Sequence, residues 1–177
     1  LVGSEMCIRD RYVEMALQFS RLSAKSTDFV IGEVSLDKVV REAIHKYARL
    51  FVRKKIKLEL TSIDTQILTD EKWLEFVIEQ ILSNAIKYTA GGTISVYLKE
   101  ESEQETKELV IEDTGIGIAP EDLPRIFEKG YTGYNGHADK RSTGIGLYLC
   151  RKIMRKLSHE ITIESEIGVG TKVHLEM

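Results

Sequence analysis

The feature that most constrains this chain of 177 residues is a long amphipathic segment with a clear boundary at each end. Asp70 can cap a helix, and the apolar residues after it recur with a helical period over residues 71–88. Gly91 and Gly92 then interrupt the pattern. A second segment follows Ser35, another good cap, and its apolar residues have the same period: Leu36, Val39, Val40, Ala43, Ile44, Tyr47 and Phe51. Both segments predict helices whose apolar face must pack against another layer.

Strand patterns alternate with these helices. Apolar stretches separated by glycines or charged turns predict strands at residues 29–34, 56–60, 65–68, 93–99, 109–112, 160–164 and 169–175. A short helix is predicted around residues 121–127 and a longer one over residues 144–157, and the polar, glycine-rich stretch 130–143 between them is expected to be mobile. This order predicts an α/β (α+β) two-layer sandwich, with helices on one face of a mixed, mostly antiparallel sheet.

Composition excludes several classes of protein. Hydrophobic residues make up 42% and charged residues 30%, which is typical of a soluble globular protein. The net charge of −3 argues against non-specific nucleic-acid binding, and we interpret the basic clusters at residues 53–55 and 151–152 as solvated helix faces. Cys7 and Cys150 lack metal-ligand spacing, so a reducing cytoplasmic setting is expected. No apolar run approaches the roughly 20 residues of a membrane span.

The N-terminal residues do not fit the pattern of the rest. Residues 1–10 have no clear period and resemble a translated sequencing adaptor, so we expect a non-native leader there. Residues 11–23 have a rough helical period and are followed by a polar break at residues 25–28. The predicted organisation is therefore a leader at 1–10, a helix end with a linker at 11–28, and one domain at 29–177.

The second half of the predicted helix 71–88 carries an unusual polar stripe. Gln80, Asn84, Lys87 and Tyr88 share one helix face, while Ile81 and its neighbours Leu82, Ala85 and Ile86 lie towards the core. An amide oxygen can bind Mg²⁺, an ammonium group can neutralise phosphate and a phenol ring can line a base pocket. The alternative interpretation is a solvated helix face.

A glycine-containing loop follows the predicted strand 109–112. Gly115 and Gly117 permit positive φ angles and close approach of the backbone to a ligand. Asp113 stands at the strand end, where its carboxylate could accept a hydrogen bond from an exocyclic amine such as adenine N6. A tight turn with Asp113 as a local cap explains the same residues equally well.

Two further glycine pairs lie nearer the C-terminus. Gly144 and Gly146 open the predicted helix 144–157, where free backbone amides and the helix dipole favour phosphate. Gly168 and Gly170 precede Thr171 between the last two predicted strands, and alone they indicate only a hairpin turn.

The order of these motifs is more specific than any one of them. An Asn-bearing helix, Asp-x-Gly-x-Gly, a helix with Phe127 and a flexible loop, Gly-x-Gly-Leu and Gly-x-Gly-Thr follow each other. This order resembles the N, G1, F and later glycine boxes of the GHKL superfamily over residues 30–177. Segments 72–84, 127–133 and 142–150 resemble sensor histidine kinases, in particular the intramembrane-sensing kinases paired with antimicrobial-peptide transporters.

The resemblance implies a Bergerat-type ATP-binding fold with a flexible ATP lid, and ATP and Mg²⁺ as cofactors. It implies that Asn84 is the Mg²⁺ ligand, Asp113 reads adenine, Lys87 contacts phosphate and Tyr88 lines the base pocket. Gly144 and Gly146 would let the end of the lid wrap around the phosphates. The remaining nucleotide-binding residues expected from the boxes are Gly115, Gly117, Ile118, Lys129, Tyr131, Thr143, Ile145, Leu147 and Thr171.

Gln80 distinguishes the enzyme classes within the superfamily. Hydrolytic relatives place a Glu at this position, where it activates water, and an amide cannot act as that base. Glu79 is one residue away and turned by about 100° on a helix. Many histidine kinases have Asn at position 80, and Gln80 retains the amide. Phosphoryl transfer is therefore favoured, with Asn84, Lys87 and Gln80 as the catalytic set. Gly130 replaces a second aromatic residue of the F box, which is expected to loosen the lid hinge.

The phosphate acceptor expected of a histidine kinase is missing. Such a kinase modifies a His on a preceding dimerisation helix in a His-Glu-x-x-Ser/Thr-Pro-like setting, and none of the four histidines has it: His45, His137, His159 and His174. Residues 11–23 resemble the end of the second dimerisation helix. The fragment is expected to bind ATP but not to phosphorylate itself in cis. We interpret His159 as a solvated turn residue and His174 as structural.

The resemblance also implies partners and a location. They are the protein's own dimerisation domain in a homodimer, a response regulator of a two-component system and an ABC transporter reached through a membrane segment, with no nucleic acid. The domain would be the cytoplasmic part of a membrane protein. Two alternatives share the boxes, a non-catalytic nucleotide-binding module and an anti-sigma-factor-type serine kinase.

Overall fold

The computed structural model describes residues 29–99, 106–132 and 143–177, together with Leu17 and Ser20, which are helical. The predicted leader 1–10 and most of the predicted helix 11–23 lie outside the described residues, as do Cys7, His137 and residues 133–142 of the predicted lid. The elements in chain order are β1 (Gly32–Ser35), α1 (Leu36–Lys54), β2 (Ile56–Leu60), β3 (Gln66–Thr69), α2 (Glu71–Tyr88), β4 (Gly92–Lys99), β5 (Glu108–Asp113), a 3₁₀ turn (Leu123–Arg125), α3 (Gly146–Lys156), β6 (Glu160–Glu166) and β7 (Gly170–Glu176).

Both long helices begin at the predicted caps. The Ser35 hydroxyl accepts a hydrogen bond from the Lys38 amide, and the Asp70 carboxylate accepts one from the Trp73 amide at 3.1 Å. A second Asp70 oxygen accepts the Val30 amide at 2.8 Å, which ties the chain before β1 to the start of α2. The prediction of a helix over residues 71–88 is confirmed.

Five strands form the main sheet in the order β2-β4-β5-β7-β6, and β1 pairs with β3 in a separate two-stranded sheet. Of the strand pairs described in the main sheet, only β2–β4 is parallel. The predicted mixed, mostly antiparallel sheet is therefore confirmed. One boundary differs with consequences for the site: β6 extends to Glu166, two residues beyond its predicted end, because Glu166 pairs with Gly170, the first residue of β7. Gly170 and Thr171 therefore belong to a strand and not to the hairpin turn.

The helices pack on one face of the main sheet. Every second residue of each strand points to this face and packs against apolar residues of α2 and α3 in a single core. The core includes Ile94, Val96, Leu109, Ile111, Val173 and Leu175 from the sheet and Leu74, Ile78, Ile81, Leu149 and Ile153 from the helices. The opposite face carries polar residues, among them Tyr97, Glu112 and His174. We call these the helix face and the open face. Cys150 is a buried thiol in the core.

Two predicted helices are shorter than expected. The segment around 121–127 forms only one 3₁₀ turn, with Pro124 near its start. The helix predicted from residue 144 begins at Gly146, because Gly144 has a φ of +64° and cannot be part of a right-handed helix. None of the described helices is long and apolar enough to cross a membrane.

Candidate functional site

Three polar side chains form a row across the helix face where β5, β7 and β6 lie side by side. Asp113 is opposite Thr171, and Thr171 is opposite Ser165. The Asp113 carboxylate is 8% exposed and accepts the Gly115 amide at 2.8 Å. Burial raises the pKa of Asp113 to about 6, and interactions with the amides of Gly115 and Thr171 and with the nearby Thr89 hydroxyl oppose the rise only in part. An acidic group is thus held in an apolar setting, and no described residue supplies a counter-charge to it.

The loop after Asp113 passes between two other parts of the protein. Its Ile116 amide donates to the Tyr88 carbonyl at the end of α2, and its Ile116 carbonyl accepts the Gly168 amide of the β6–β7 turn. Gly117 has a φ of +71°, and a Cβ there would lie 2.0 Å from the Glu166 carbonyl oxygen. This close approach to the protein's own backbone requires glycine at position 117, and the Gly115 amide bonded to the Asp113 carboxylate shows that Asp113 also caps the turn.

Helix α2 places its polar stripe beside this loop. Gln80 is buried, at 5% exposure, whereas Asn84, Lys87 and Tyr88 are half-buried. The Lys87 ammonium lies 4.9 Å from the centre of the Tyr88 ring. The solvated-face interpretation is wrong for Gln80. The predicted core positions on the same helix are buried: Ile81, Leu82, Ala85 and Ile86.

Gln80 connects α2 to the start of α3. A Cβ on Gly146, the first residue of α3, would lie 2.8 Å from the Gln80 amide oxygen. The residue before the helix, Ile145, offers no side-chain cap. The backbone amides in the first turn of α3, including that of Leu147, therefore need hydrogen-bond acceptors from elsewhere. A helix N-terminus of this kind suits an anion.

The two ends of segment 131–143 are joined at a narrow neck. The Gly130 amide donates to the Gly144 carbonyl at 2.9 Å, and a Cβ on Gly144 would lie 2.4 Å from the Gly130 carbonyl carbon. Gly130 itself has a φ of +81°, and a Cβ added to it would meet no described atom within 4 Å, so its role is conformational. Thr143 is exposed at the end of the neck, and its hydroxyl lies 3.4 Å from the Ile145 amide.

Not every predicted site residue faces α2. The Tyr131 hydroxyl donates to Asp122 at 2.5 Å, and the Arg125 guanidinium lies 4.4 Å from the centre of the Tyr131 ring. The Tyr131 side chain is therefore directed to the 3₁₀ turn. Lys129 is exposed beside it. The Ile118 amide, in contrast, donates a hydrogen bond of 2.9 Å to the Ser165 hydroxyl, which belongs to the row of Asp113, Thr171 and Ser165.

Comparison with known proteins identifies the family of this domain. Residues 69–177 match the family described as histidine kinase-, DNA gyrase B-, and HSP90-like ATPase. The chain belongs to this ATPase family. It is 39% identical over 162 residues to the sensor histidine kinase YxdK of Bacillus subtilis (strain 168), covering 91% of this chain and 50% of the relative. It is 35% identical to the sensor protein BceS of the same strain, covering 90% of this chain and 47% of the relative.

The chain spans about half the length of these two relatives. A solved structure, full-length ShkA in complex with AMPPNP, shares the fold with a TM-score of 0.78 at 23% identity, covering 93% of this chain and 34% of that one. The resemblance to histidine kinases within the GHKL superfamily is confirmed, as is the fold expected from it. The domain is the ATP-binding domain of this family.

Two acids near Gln80 on α2 are directed towards α1. Glu79 and Glu75 both bind the Lys46 ammonium of α1, at 2.5 and 2.8 Å. Gln80 instead lies against Gly146 of α3. Position 80 is therefore a neutral amide, and the neighbouring Glu79 carboxylate pairs with a different helix.

Sequence reasoning missed three residues that shape the site. Ser165 and Thr89 are the polar neighbours of Thr171 and Asp113 described above. Lys54 belongs to the basic cluster at residues 53–55, which we expected to be solvated. Its ammonium instead binds the carbonyls of Ile86, Lys87 and Thr89 at the end of α2, at 2.5, 2.9 and 3.1 Å. Burial, with the charge of Arg53, lowers the pKa of Lys54. The one available signal was a polar residue, Ser165, at an inward position of an alternating strand.

Proposed function

We propose that this chain is the catalytic ATP-binding part of a two-component sensor histidine kinase. It would bind Mg²⁺-ATP and transfer the γ-phosphoryl group to a His on a dimerisation domain, for onward transfer to a response regulator. The observation that carries the proposal is the buried Asp113 carboxylate, which ends β5 beside a glycine loop and has a pKa raised by desolvation. Perturbed, uncompensated acids of this kind cluster at functional sites.

Each end of the site suits one part of ATP. At the base end, Asp113 would accept a hydrogen bond from the adenine amine, and Gly115 and Gly117 would let the backbone approach the ring. At the phosphate end, the Lys87 ammonium and the first-turn amides of α3 would neutralise the triphosphate. The neck at Gly130 and Gly144 would hold the ends of the lid while the segment between them covers the nucleotide.

Asn84 is the residue that fits Mg²⁺. Its half-buried amide supplies a hard oxygen ligand, and Mg²⁺ commonly takes only one or two protein ligands together with phosphate oxygens and water. In the described ranges no group of three or more His, Cys, Asp and Glu could hold a metal ion, which is consistent with a metal shared by Asn84 and the nucleotide. The bound ion would supply charge neutralisation at the transferred phosphoryl group.

Gln80 supports transfer rather than hydrolysis. An amide cannot remove a proton from water, and Glu79 is engaged with Lys46 on the other side of α2. Phosphoryl transfer needs positioning and charge neutralisation more than an added base on the ATP side. We therefore assign Asn84, Lys87 and Gln80 to positioning the triphosphate for attack by a His of another domain.

The acceptor His is proposed to lie outside residues 29–177. His45 is exposed on α1, and His174 binds Glu108 on the open face of the sheet. His159 is not a solvated turn residue: it is half-buried, its Nε2 lies 3.0 Å from the Thr69 hydroxyl, and burial lowers its pKa. We propose that the fragment does not phosphorylate itself in cis, and that the whole protein is membrane-anchored, dimeric and linked to an ABC transporter, with this domain in the cytoplasm.

Calorimetry and a transfer assay test the proposal. The wild-type chain should bind Mg²⁺-ATP, Asn84→Ala should lose most of that affinity, and Gln66→Ala, which removes an exposed amide on β3, should retain it. With a separately produced dimerisation domain, an acid-labile phosphoryl group should appear on its His. Absence of binding by the wild type contradicts the ATP site. Binding without transfer supports the non-catalytic alternative, and an acid-stable product on a Ser supports the serine-kinase alternative.

A further inference from the structure

The Ser165 hydroxyl is the junction of three segments around the base end of the proposed ATP site. Its oxygen lies 2.9 Å from the Ile118 amide nitrogen, 2.7 Å from the Gly170 carbonyl oxygen and 2.9 Å from the Thr171 hydroxyl oxygen. One oxygen atom thus contacts the loop after Asp113, the first residue of β7 and the neighbour of Asp113 in the cross-strand row.

Counting protons fixes the direction of each of these bonds. The Ile118 amide can only donate. The Gly170 carbonyl can only accept, so the single Ser165 proton must lie between the two oxygens that are 2.7 Å apart. Ser165 therefore has no proton left for Thr171. The short contact between the two hydroxyls requires that Thr171 donates to Ser165. The Ser165 oxygen then donates once and accepts twice, which saturates it.

Thr171 has only hydrogen-bond acceptor capacity left for a ligand. Its only hydroxyl proton is directed to Ser165, so towards any ligand it can act only as an acceptor. Asp113 lies directly opposite Thr171 on the same face and, when ionised, also only accepts. Two adjacent acceptors favour a purine that presents an amine at position 6 and disfavour one that presents a carbonyl oxygen there.

We propose that Ser165 is a specificity-determining positioning residue, which fixes the Thr171 hydroxyl as an acceptor and thereby makes the site select a 6-amino purine over a 6-oxo purine. This inference rests on the proposed ATP-binding function. It adds a role for a residue two strands away from the Asp113 carboxylate, which acts on the ligand only through Thr171.

The test compares ATP with inosine triphosphate, because hypoxanthine carries a carbonyl where adenine carries its 6-amine. Dissociation constants of both Mg²⁺-nucleotides are measured for the wild type, Ser165→Ala, Ser165→Thr, Thr171→Val and the double variant Ser165→Ala/Thr171→Val. Thr162→Val, which removes an exposed hydroxyl from the open face of β6, is the matched control. Thermal melting shows which variants are folded.

The expected readout is the ratio of the two dissociation constants. Ser165→Ala frees the Thr171 proton to donate to the 6-oxygen of inosine, so the preference for ATP should fall about tenfold. Ser165→Thr retains the hydroxyl and should restore the preference. Ser165→Ala should have no further effect on the ratio once Thr171 is Val, and Thr162→Val should behave as wild type.

Two results would overturn the proposal. One is an equal weakening of both nucleotides by Ser165→Ala, which indicates a purely structural role. The other is the same change of ratio in the Thr171→Val background. If Ser165→Ala does not fold, Ser165→Cys supplies the comparison, since a thiol is a weak acceptor and should lower the ratio by a smaller factor. Failure of the wild type to bind ATP would instead refute the proposed function itself.

Discussion

Strand β5 begins and ends with a buried carboxylate, and the fold shifts the pKa values of the two groups in opposite directions. Glu108 and Asp113 are both 8% exposed, but they lie on opposite faces of the sheet because they are an odd number of positions apart on the strand. Glu108 is bound by the Lys99 ammonium at 3.0 Å and by His174 at 2.5 Å. Burial tends to raise the pKa of Glu108, and these two hydrogen bonds outweigh it, so that the pKa is lowered. The pKa of Asp113 is raised.

The difference separates a structural acid from one that we propose to be functional. Glu108 finds a cationic partner, Lys99, and a hydrogen-bond partner, His174, within the fold, and its charge contributes to stability. Among the described residues Asp113 has only uncharged polar neighbours, such as the Gly115 amide. Keeping it ionised therefore costs stability, and the carboxylate has acceptor capacity left for a ligand. A carboxylate buried without a cation is therefore a better indicator of the ligand site than burial or acidity alone.

The largest expected effect is that of Asp113→Asn on ATP affinity. Replacing one carboxylate oxygen with an amide NH2 group removes an acceptor for the adenine amine, so the affinity for ATP should fall at least about 100-fold. Stability should change in the opposite direction, because the variant no longer buries a charge. At pH 7 the free energy of unfolding should rise by about 1–3 kcal/mol. Calorimetric titration with Mg²⁺-ATP and urea unfolding measure the two effects.

The pH dependence of the same variant sharpens the comparison. The pKa of Asp113 is about 6 when folded and 3.8 in its ordinary setting, so between these values the folded state binds more protons. Wild-type stability should therefore rise as the pH falls from 6 towards 4, and the advantage of Asp113→Asn should shrink over that window. An advantage that grows with falling pH would show that Asp113 is compensated in the same way as Glu108.

The second prediction concerns the backbone beside the Asp113 end of β5. Gly170 has a φ of +142°, and a Cβ there would lie 1.9 Å from the Asp113 carbonyl oxygen. Gly170→Ala should lower the free energy of unfolding by about 2–3 kcal/mol and also weaken ATP binding. Gly168→Ala is the matched control: its φ is +77° but the space around it is open, so it should cost about 1 kcal/mol. Equal losses in urea unfolding would contradict the close approach.

The elements of this fold that depend only on residues close together in the sequence could be predicted from the sequence. The bounds predicted for helix α2 are correct because its cap, Asp70, and its apolar period are local features. Strand ends were less well predicted, because pairing decides them: β6 extends past its predicted end at 164 to Glu166, which pairs with Gly170 on the other side of the turn. The period of an alternating strand does not contain that information.

The same distinction applies to the site. Asp113, Gly115 and Gly117 are unusual residue types after a buried strand, and they could be found by inspection. Ser165 and Lys54 are ordinary residues whose roles come from partners far along the chain. Ser165 binds the Ile118 amide 47 residues away, and Lys54 binds carbonyls 32 to 35 residues away. Only the folded chain shows these contacts.

The third prediction tests the structural end of β5. Glu108→Gln removes the charge that binds Lys99 and His174, and the free energy of unfolding at pH 7 should fall by about 1–2 kcal/mol. Because the pKa of Glu108 is lowered from 4.5, its contribution is present above that pH and is lost as the pH falls through the depressed value. The difference from wild type should therefore disappear in acid. ATP affinity should stay within about twofold, since Glu108 faces away from the helices; a larger loss would link the open face to the site.

The smallest expected effect comes from an acid that is close to the site in sequence but not in space. Glu79 precedes Gln80, yet it binds Lys46 across the surface between α1 and α2, where the lysine side chain is 53% exposed. Glu79→Gln should change the free energy of unfolding by less than about 0.5 kcal/mol, because exposed ion pairs contribute little. It should also leave ATP affinity and the rate of phosphate release unchanged. A clear fall in ATP hydrolysis would show that Glu79 reaches the nucleotide as a base, and it would place this chain with the hydrolytic members of its family rather than with the kinases.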